Sequence, residues 1–146
     1  MRATRLNNPL RIALCLTALL VTVPSALAAD ARITKVEMGT SVTDDDEIED
    51  PTTTFAPSTP KIYCVWKSDG VVVGTTLRGV WIAEDVGKVA PPNYKIDEAS
   101  LTVAVANQGS FSLSKPNNGF PVGKYRLEIY FGKALLKTVP FTVEEE

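Results

Sequence analysis

Between residues 124 and 131 the side chains alternate without a break. Tyr125, Leu127, Ile129 and Phe131 fall on one face, and Lys124, Arg126, Glu128 and Tyr130 on the other. A period of two describes a strand with one face in a core and the other in water, and it excludes a helix at that place. Gly132 and Lys133 supply a short turn, and 135–143 runs back as a second strand, so the segment reads as a hairpin. A chain built around such a pair must complete a sheet and cover its apolar face.

Residues 1–28 read as an export leader. Arg2, Arg5 and Arg11 give it a positive start, 12–23 is mostly apolar, Pro24 breaks the run, and Ala26-Leu27-Ala28 is a small-x-small cleavage site. The apolar run is shorter than the roughly 20 residues that span a bilayer, which favours a cleaved signal peptide over an anchor. Cys15 follows bulky Leu14 inside the apolar core, which argues against a lipoprotein site. No second long apolar stretch follows, so no stable membrane insertion is expected after cleavage. The expected product is exported, periplasmic or secreted. It begins at Ala29 with 118 residues, enough for one domain with its own core. We divide it into 29–60, an N-terminal strand followed by an acidic, proline- and threonine-rich loop, and 61–146, the body of the domain.

Three of the fifteen basic residues leave with the leader and all seventeen acidic ones stay, so the mature chain carries twelve against seventeen, a net charge of −5. That balance, with no basic cluster, argues against nucleic acid or an anionic membrane as partner. Cys64 is the one cysteine left, so no intramolecular disulfide can form. It is either a buried small apolar residue or a bridge between two copies, and its place in Ile62-Tyr63-Cys64-Val65-Trp66 favours burial.

Taken in order, 30–38 is a first short strand with the poor periodicity of a sheet edge. The stretch 41–60 holds six carboxylates within 44–50, then Pro51, Pro57 and Pro60, and reads as a solvated loop with room for a short strand at 53–56. Strands are expected at 61–67, briefly at 71–73, and at 75–83, where Leu77, Gly79 and Trp81 share a face. Gly87, Pro91, Pro92 and Asn93 make 84–97 the longest irregular piece. Leu101, Val103 and Val105 alternate through 99–106, Phe111 and Leu113 point inward from 110–114, and 115–119 is a loop. Pro140 marks the last strand as an edge or locally bulged. Seven or eight short strands, with a turn signal roughly every ten residues, describe an all-β sandwich of two mainly antiparallel sheets.

The run Gly123-Lys124-Tyr125-Arg126-Leu127-Glu128-Ile129 resembles the tyrosine-corner strand of immunoglobulin-like domains. On that resemblance Cys64 stands for the family's first disulfide cysteine and Trp81 for its core tryptophan. Leu127 occupies the second cysteine's place, so the intersheet disulfide is missing. The whole is similar to the small bacterial immunoglobulin-like domains of exported proteins, and the likeness covers 61–143.

The chain has no histidine, which removes the commonest general base and metal ligand and leaves Cys64 without an activating partner. No phosphate-cradling glycine motif is present. Glu84, Asp85, Asp97 and Glu98 bracket the long loop and could supply a glycosidase carboxylate pair; the plainer reading is surface charge. The 44–50 run could take calcium, but no glycine sits sixth from Asp44 and no glutamate twelfth, and a solvated loop is the alternative. No catalytic residue, metal site or cofactor is therefore assigned. Loops held by a rigid scaffold are where a binding site is sought, and Tyr94, Lys115, Asn117, Asn118 and Phe120 are the candidates. The plainer reading has Phe120 plugging the sandwich and 116–119 merely turning the chain. A partner strand added to an open sheet edge is a further mode of binding. The expectation is an exported, non-catalytic interaction module whose partner is an envelope protein or polysaccharide. A small carboxylate-dependent hydrolase and a calcium-stabilised envelope protein are the alternatives.

Overall fold

The computed structural model describes residues 31–146; the leader and its cleavage point lie outside the described residues. The alternating segment becomes β7 (Gly123–Phe131) and its return β8 (Ala134–Val143), antiparallel from Phe131↔Ala134 to Gly123↔Val143. Gly132 makes the turn at φ +56°, a left-handed value that costs glycine nothing. On its other side β7 pairs with β4 (Thr76–Asp85), and β4 with β5 (Tyr94–Thr102). The two-residue β2 (Thr54–Phe55) lies parallel to the end of β8, completing a five-stranded sheet in the order β2-β8-β7-β4-β5.

The second sheet has three strands, β1 (Arg32–Gly39), β3 (Lys61–Asp69) and β6 (Gln108–Ser114), in the order β1-β3-β6. One hydrophobic core unites residues of both sheets: Ile62, Cys64 and Trp66 of β3 with Leu77 and Trp81 of β4 and Tyr125, Leu127 and Ile129 of β7. Phe141 of β8 meets Phe55 and Trp81 edge-on, at 5.8 Å each, and stacks on Tyr125 at 5.2 Å. Such aromatic pairs add about 1 kcal/mol each beyond the area they bury.

The strand expected at 71–73 does not form. Val71 instead turns inward, 1% exposed, and exchanges backbone and side-chain hydrogen bonds with Asn107. The irregular piece expected at 84–97 is shorter than that, because β4 runs on to Asp85 and β5 starts at Tyr94, leaving 86–93 as the loop. Asn93, at φ +58°, closes it by donating its N–H to the Glu84 carbonyl. The strand expected at 99–106 lies five residues earlier, and Val105 is 56% exposed. β5 is a sheet edge with hardly a buried side chain, so no alternation announces it. The acidic stretch is not wholly solvated either. Ile48 bridges to Val42 and is 7% exposed, so the one apolar residue of the run tacks it down.

Two backbone details set the end of the molecule where the site lies. At Gly123, φ +152°, a Cβ would stand 2.2 Å from the Asp85 carbonyl oxygen, so β4 and β7 meet there only over glycine. The carbonyls of Thr53, just before β2, and of Phe55 accept the N–H groups of Thr142 and Glu144. Pro140, next in that alternation, has none to offer, and the parallel pairing stops.

Candidate functional site

Two loops at this end, 86–93 between β4 and β5 and 115–122 between β6 and β7, stand either side of an open groove of about 330 Å³. Its walls are nearly all apolar. Val86, Val89, Ala90 and Pro91 come from the first loop, Tyr94 and Ile96 from β5, Pro116, Phe120 and Pro121 from the second loop, and Ala83 and Tyr125 form the floor. Val89 is 70% exposed and Tyr94 52%, which is unusual for side chains of that size.

The walls are held by polar contacts outside the groove. The Asp85 carboxylate accepts the Gly87 N–H at 3.1 Å, tightening the start of the first loop. Arg126 of β7 donates to Asn93 Oδ1 at 2.6 Å and to Glu128 at 2.8 Å, and lies 3.6 Å from Glu84. The loop's far end is thereby tied to the central strand. Phe120 N–H and Gly119 anchor the second loop on Pro57 and Pro116 carbonyls respectively, both at 3.0 Å. The Tyr125 hydroxyl donates to the Pro121 carbonyl, so the floor is polar-satisfied, and burial pushes its pKa up to about 12. A groove so lined can bind apolar side chains or a flat apolar ring.

Of the side chains singled out in the sequence, Tyr94 and Phe120 line this groove. Phe120 is 2% exposed, so it both plugs the core and walls the groove. Lys115, Asn117 and Asn118 are exposed on the second loop and are not among the lining residues. Sequence reasoning passed over Val86, Val89 and Ala90. Their signal was present: three apolar residues in a stretch broken by Gly87 and Pro91 have no strand to belong to.

The four carboxylates that bracket the first loop are each engaged by a neighbouring group. Glu98, opposite Val80 on β5, bonds Lys95 and Arg78 at 3.4 and 3.2 Å. The hydrogen bond from Lys95 holds its carboxyl below the usual range, the opposite of what a proton-donating acid needs. Glu84 faces Arg126, and Asp85 caps the Gly87 N–H. In the acidic run Asp46, at φ +58°, closes a turn on Thr43, and Glu47 meets Lys67 at 3.4 Å. Among the described residues no three acidic or thiol side chains converge as a metal site. Cys64 is fully buried, and loss of solvation pushes its thiol up to about 12.

No protein-family model matches the chain, and no curated protein matches it. Among solved structures, it is similar to an immunoglobulin-like protein from Pseudomonas aeruginosa, at 21% identity and a TM-score of 0.53, over 80% of this chain and 98% of that one. A GH3 beta-glucosidase from Bifidobacterium adolescentis superposes at 10% identity and a TM-score of 0.41, over 77% of this chain and 17% of that one, too loosely to bear on fold or activity. The fold is thus an immunoglobulin-like sandwich of two sheets. No helix among the described residues is long and apolar enough to cross a membrane.

Proposed function

We propose that this immunoglobulin-like sandwich is an exported, non-catalytic binding module of the cell envelope, taking an envelope protein or polysaccharide at the groove between loops 86–93 and 115–122. The observation that carries this is the lip of the groove. Val89 and Tyr94 stand exposed beside a concave apolar wall of about 330 Å³, at the low end of ligand-site volumes. A rigid sandwich that leaves such side chains in water on two tethered loops gains nothing in stability from them, whereas a partner that covers them does. The leader read at 1–28 supplies the export.

The test is capture from an envelope extract of the host by tagged 29–146, run beside Tyr94→Asp and, as a control away from the groove, Val105→Ser. The expected result is one enriched component that the groove variant loses and the control keeps. Equal retention by Tyr94→Asp would move the site elsewhere, and an empty capture from folded protein would sink the reading.

A further inference from the structure

Strand edges offer unpaired backbone groups, and among the described residues all but one of these edges are guarded. β2 is only two residues long, Pro140 bars its extension along β8, and the stretch of β8 left uncovered bulges at Leu136 and carries Lys137. β1 slips register between Ile33 and Lys35 and carries Arg32, Lys35 and Glu37. β5 bulges at Ile96, bears Lys95, Asp97 and Glu98, and covers the Glu98 N–H with the Asp97 carboxylate at 2.8 Å. β6 has no such guard. Its residues, Gln108-Gly109-Ser110-Phe111-Ser112-Leu113-Ser114, include no charge and no proline, and its register with β3 runs unbroken from Lys61↔Ser114 to Lys67↔Gln108. Lys115 donates its N–H to Pro60, and Asn107 accepts from Ser68, so the odd-numbered residues face β3. Gln108, Ser110, Ser112 and Ser114 therefore turn N–H and C=O to the open side.

That open side is bordered by apolar surface of the facing sheet. Leu101 of β5 reaches Gly109 so closely that a Cβ there would lie 2.7 Å from its methyl. The groove already described lies at the Ser114 end, with Ile96 of β5 opposite Pro116. A smaller cavity of about 160 Å³ lies at the Gln108 end, lined by Leu101, Val105, Gly109 and Asp46. The charges at the two ends are opposite. Lys115 continues β6 and Lys88 adjoins Val89, neither in an ion pair among the described residues, while Asp46 stands at the other end.

We infer that β6 is a docking edge for an extended segment of a partner protein, running antiparallel to it. The segment is acidic at its N-terminal end, uncharged and alternately apolar through the middle, and basic at its C-terminal end. This rests on the binding-module reading and narrows its partner to a protein. Residues opposite Gly109, Phe111 and Leu113 point into the flank and must be apolar, whereas those opposite the serines face water and supply the hydrogen bonds.

The probe is the heptapeptide Glu-Val-Ser-Val-Ser-Val-Lys, titrated into 29–146 by fluorescence anisotropy. We expect binding, slower exchange of the Ser110 and Ser112 amides, and about 25-fold weaker binding once both peptide serines are N-methylated, at roughly fivefold for each lost hydrogen bond. Equal affinity of the methylated peptide overturns strand pairing. So does failure of the plain peptide to bind folded protein; groove-dependent capture in the same preparation would then leave the module reading standing. A concentration-dependent dimer of the peptide-free protein, lost in Ser112→Lys, would assign the edge to a second copy and likewise overturn the inference.

Discussion

The Tyr125 hydroxyl and the Pro121 carbonyl it bonds lie four residues apart, and the link sets the angle at which the second loop enters β7. Tyr125→Phe keeps the ring stacked on Phe141 but leaves that carbonyl without its partner, so it should cost about 1–2 kcal/mol. Urea unfolding would read this as a lower midpoint with an unchanged slope. Cys64 shows the opposite economy: a polar atom in an apolar site with its reactive form suppressed. With its thiol pushed up to about 12, native 29–146 should give no reaction with a disulfide reagent at pH 8, and one equivalent in guanidinium. Reaction of the native protein would show a thiol open to solvent, as a bridge between copies requires. The resemblance to a disulfide-bearing family was legible at these residues, because Tyr125, Trp81 and Cys64 are chemically distinctive. All three are 1% exposed or less, and Leu127 fills the missing cysteine's position at 0%.

At the scale of elements, the outer face of the five-stranded sheet is braced by charge. Val80 and Ile82 are buried there although they point away from the core, under a layer in which Arg78 lies over the Tyr130 ring at 4.5 Å and Arg126 bonds Glu128. Glu128 accepts from the Tyr130 hydroxyl and from Arg126, and these bonds hold its carboxyl below the ordinary 4.5. In the unfolded chain they are absent, so near and below pH 4.5 the unfolded state binds the proton more readily. The stabilisation is therefore complete above the unfolded value and is lost as pH falls through the folded one. Glu128→Gln should flatten the fall of stability below pH 4.5 and leave little pH dependence of its own at neutrality. Parallel acid profiles for the two proteins would remove this role. β7, with one buried face, was legible by alternation; β5 was misplaced because an edge exposed on both faces carries no periodic signal.

At the scale of the whole molecule, stability comes from packing two sheets, and no disulfide helps among the described residues. The acidic stretch before β3 lies against the molecule through Ile48. A ligand that binds only the folded state must raise its melting temperature. The melting temperature of 29–146 should accordingly be the same in chelator and in millimolar calcium, and a rise of several degrees with calcium would restore the calcium-stabilised alternative. The two proposed binding surfaces likewise belong to the assembled molecule. The end groove needs two loops separated by the whole of β5 and β6, and the open flank needs two strands from different sheets.

Local pattern by itself determined that this chain is all-β, that its body closes on the β7–β8 hairpin, that a tyrosine sits at the corner, and that no histidine chemistry is available. These are properties of side chains one, two or four positions apart, where backbone geometry dictates who faces the core. Only tertiary structure decided which strands became neighbours, since pairing depends on which apolar faces can be buried together across long stretches of chain. It also decided that Tyr94 and Phe120 share a groove with Val86, Val89 and Pro116, while Lys115, Asn117 and Asn118 stand outside its lining. And it left β6 open among the described strands, because an edge is defined by the strand that is not beside it.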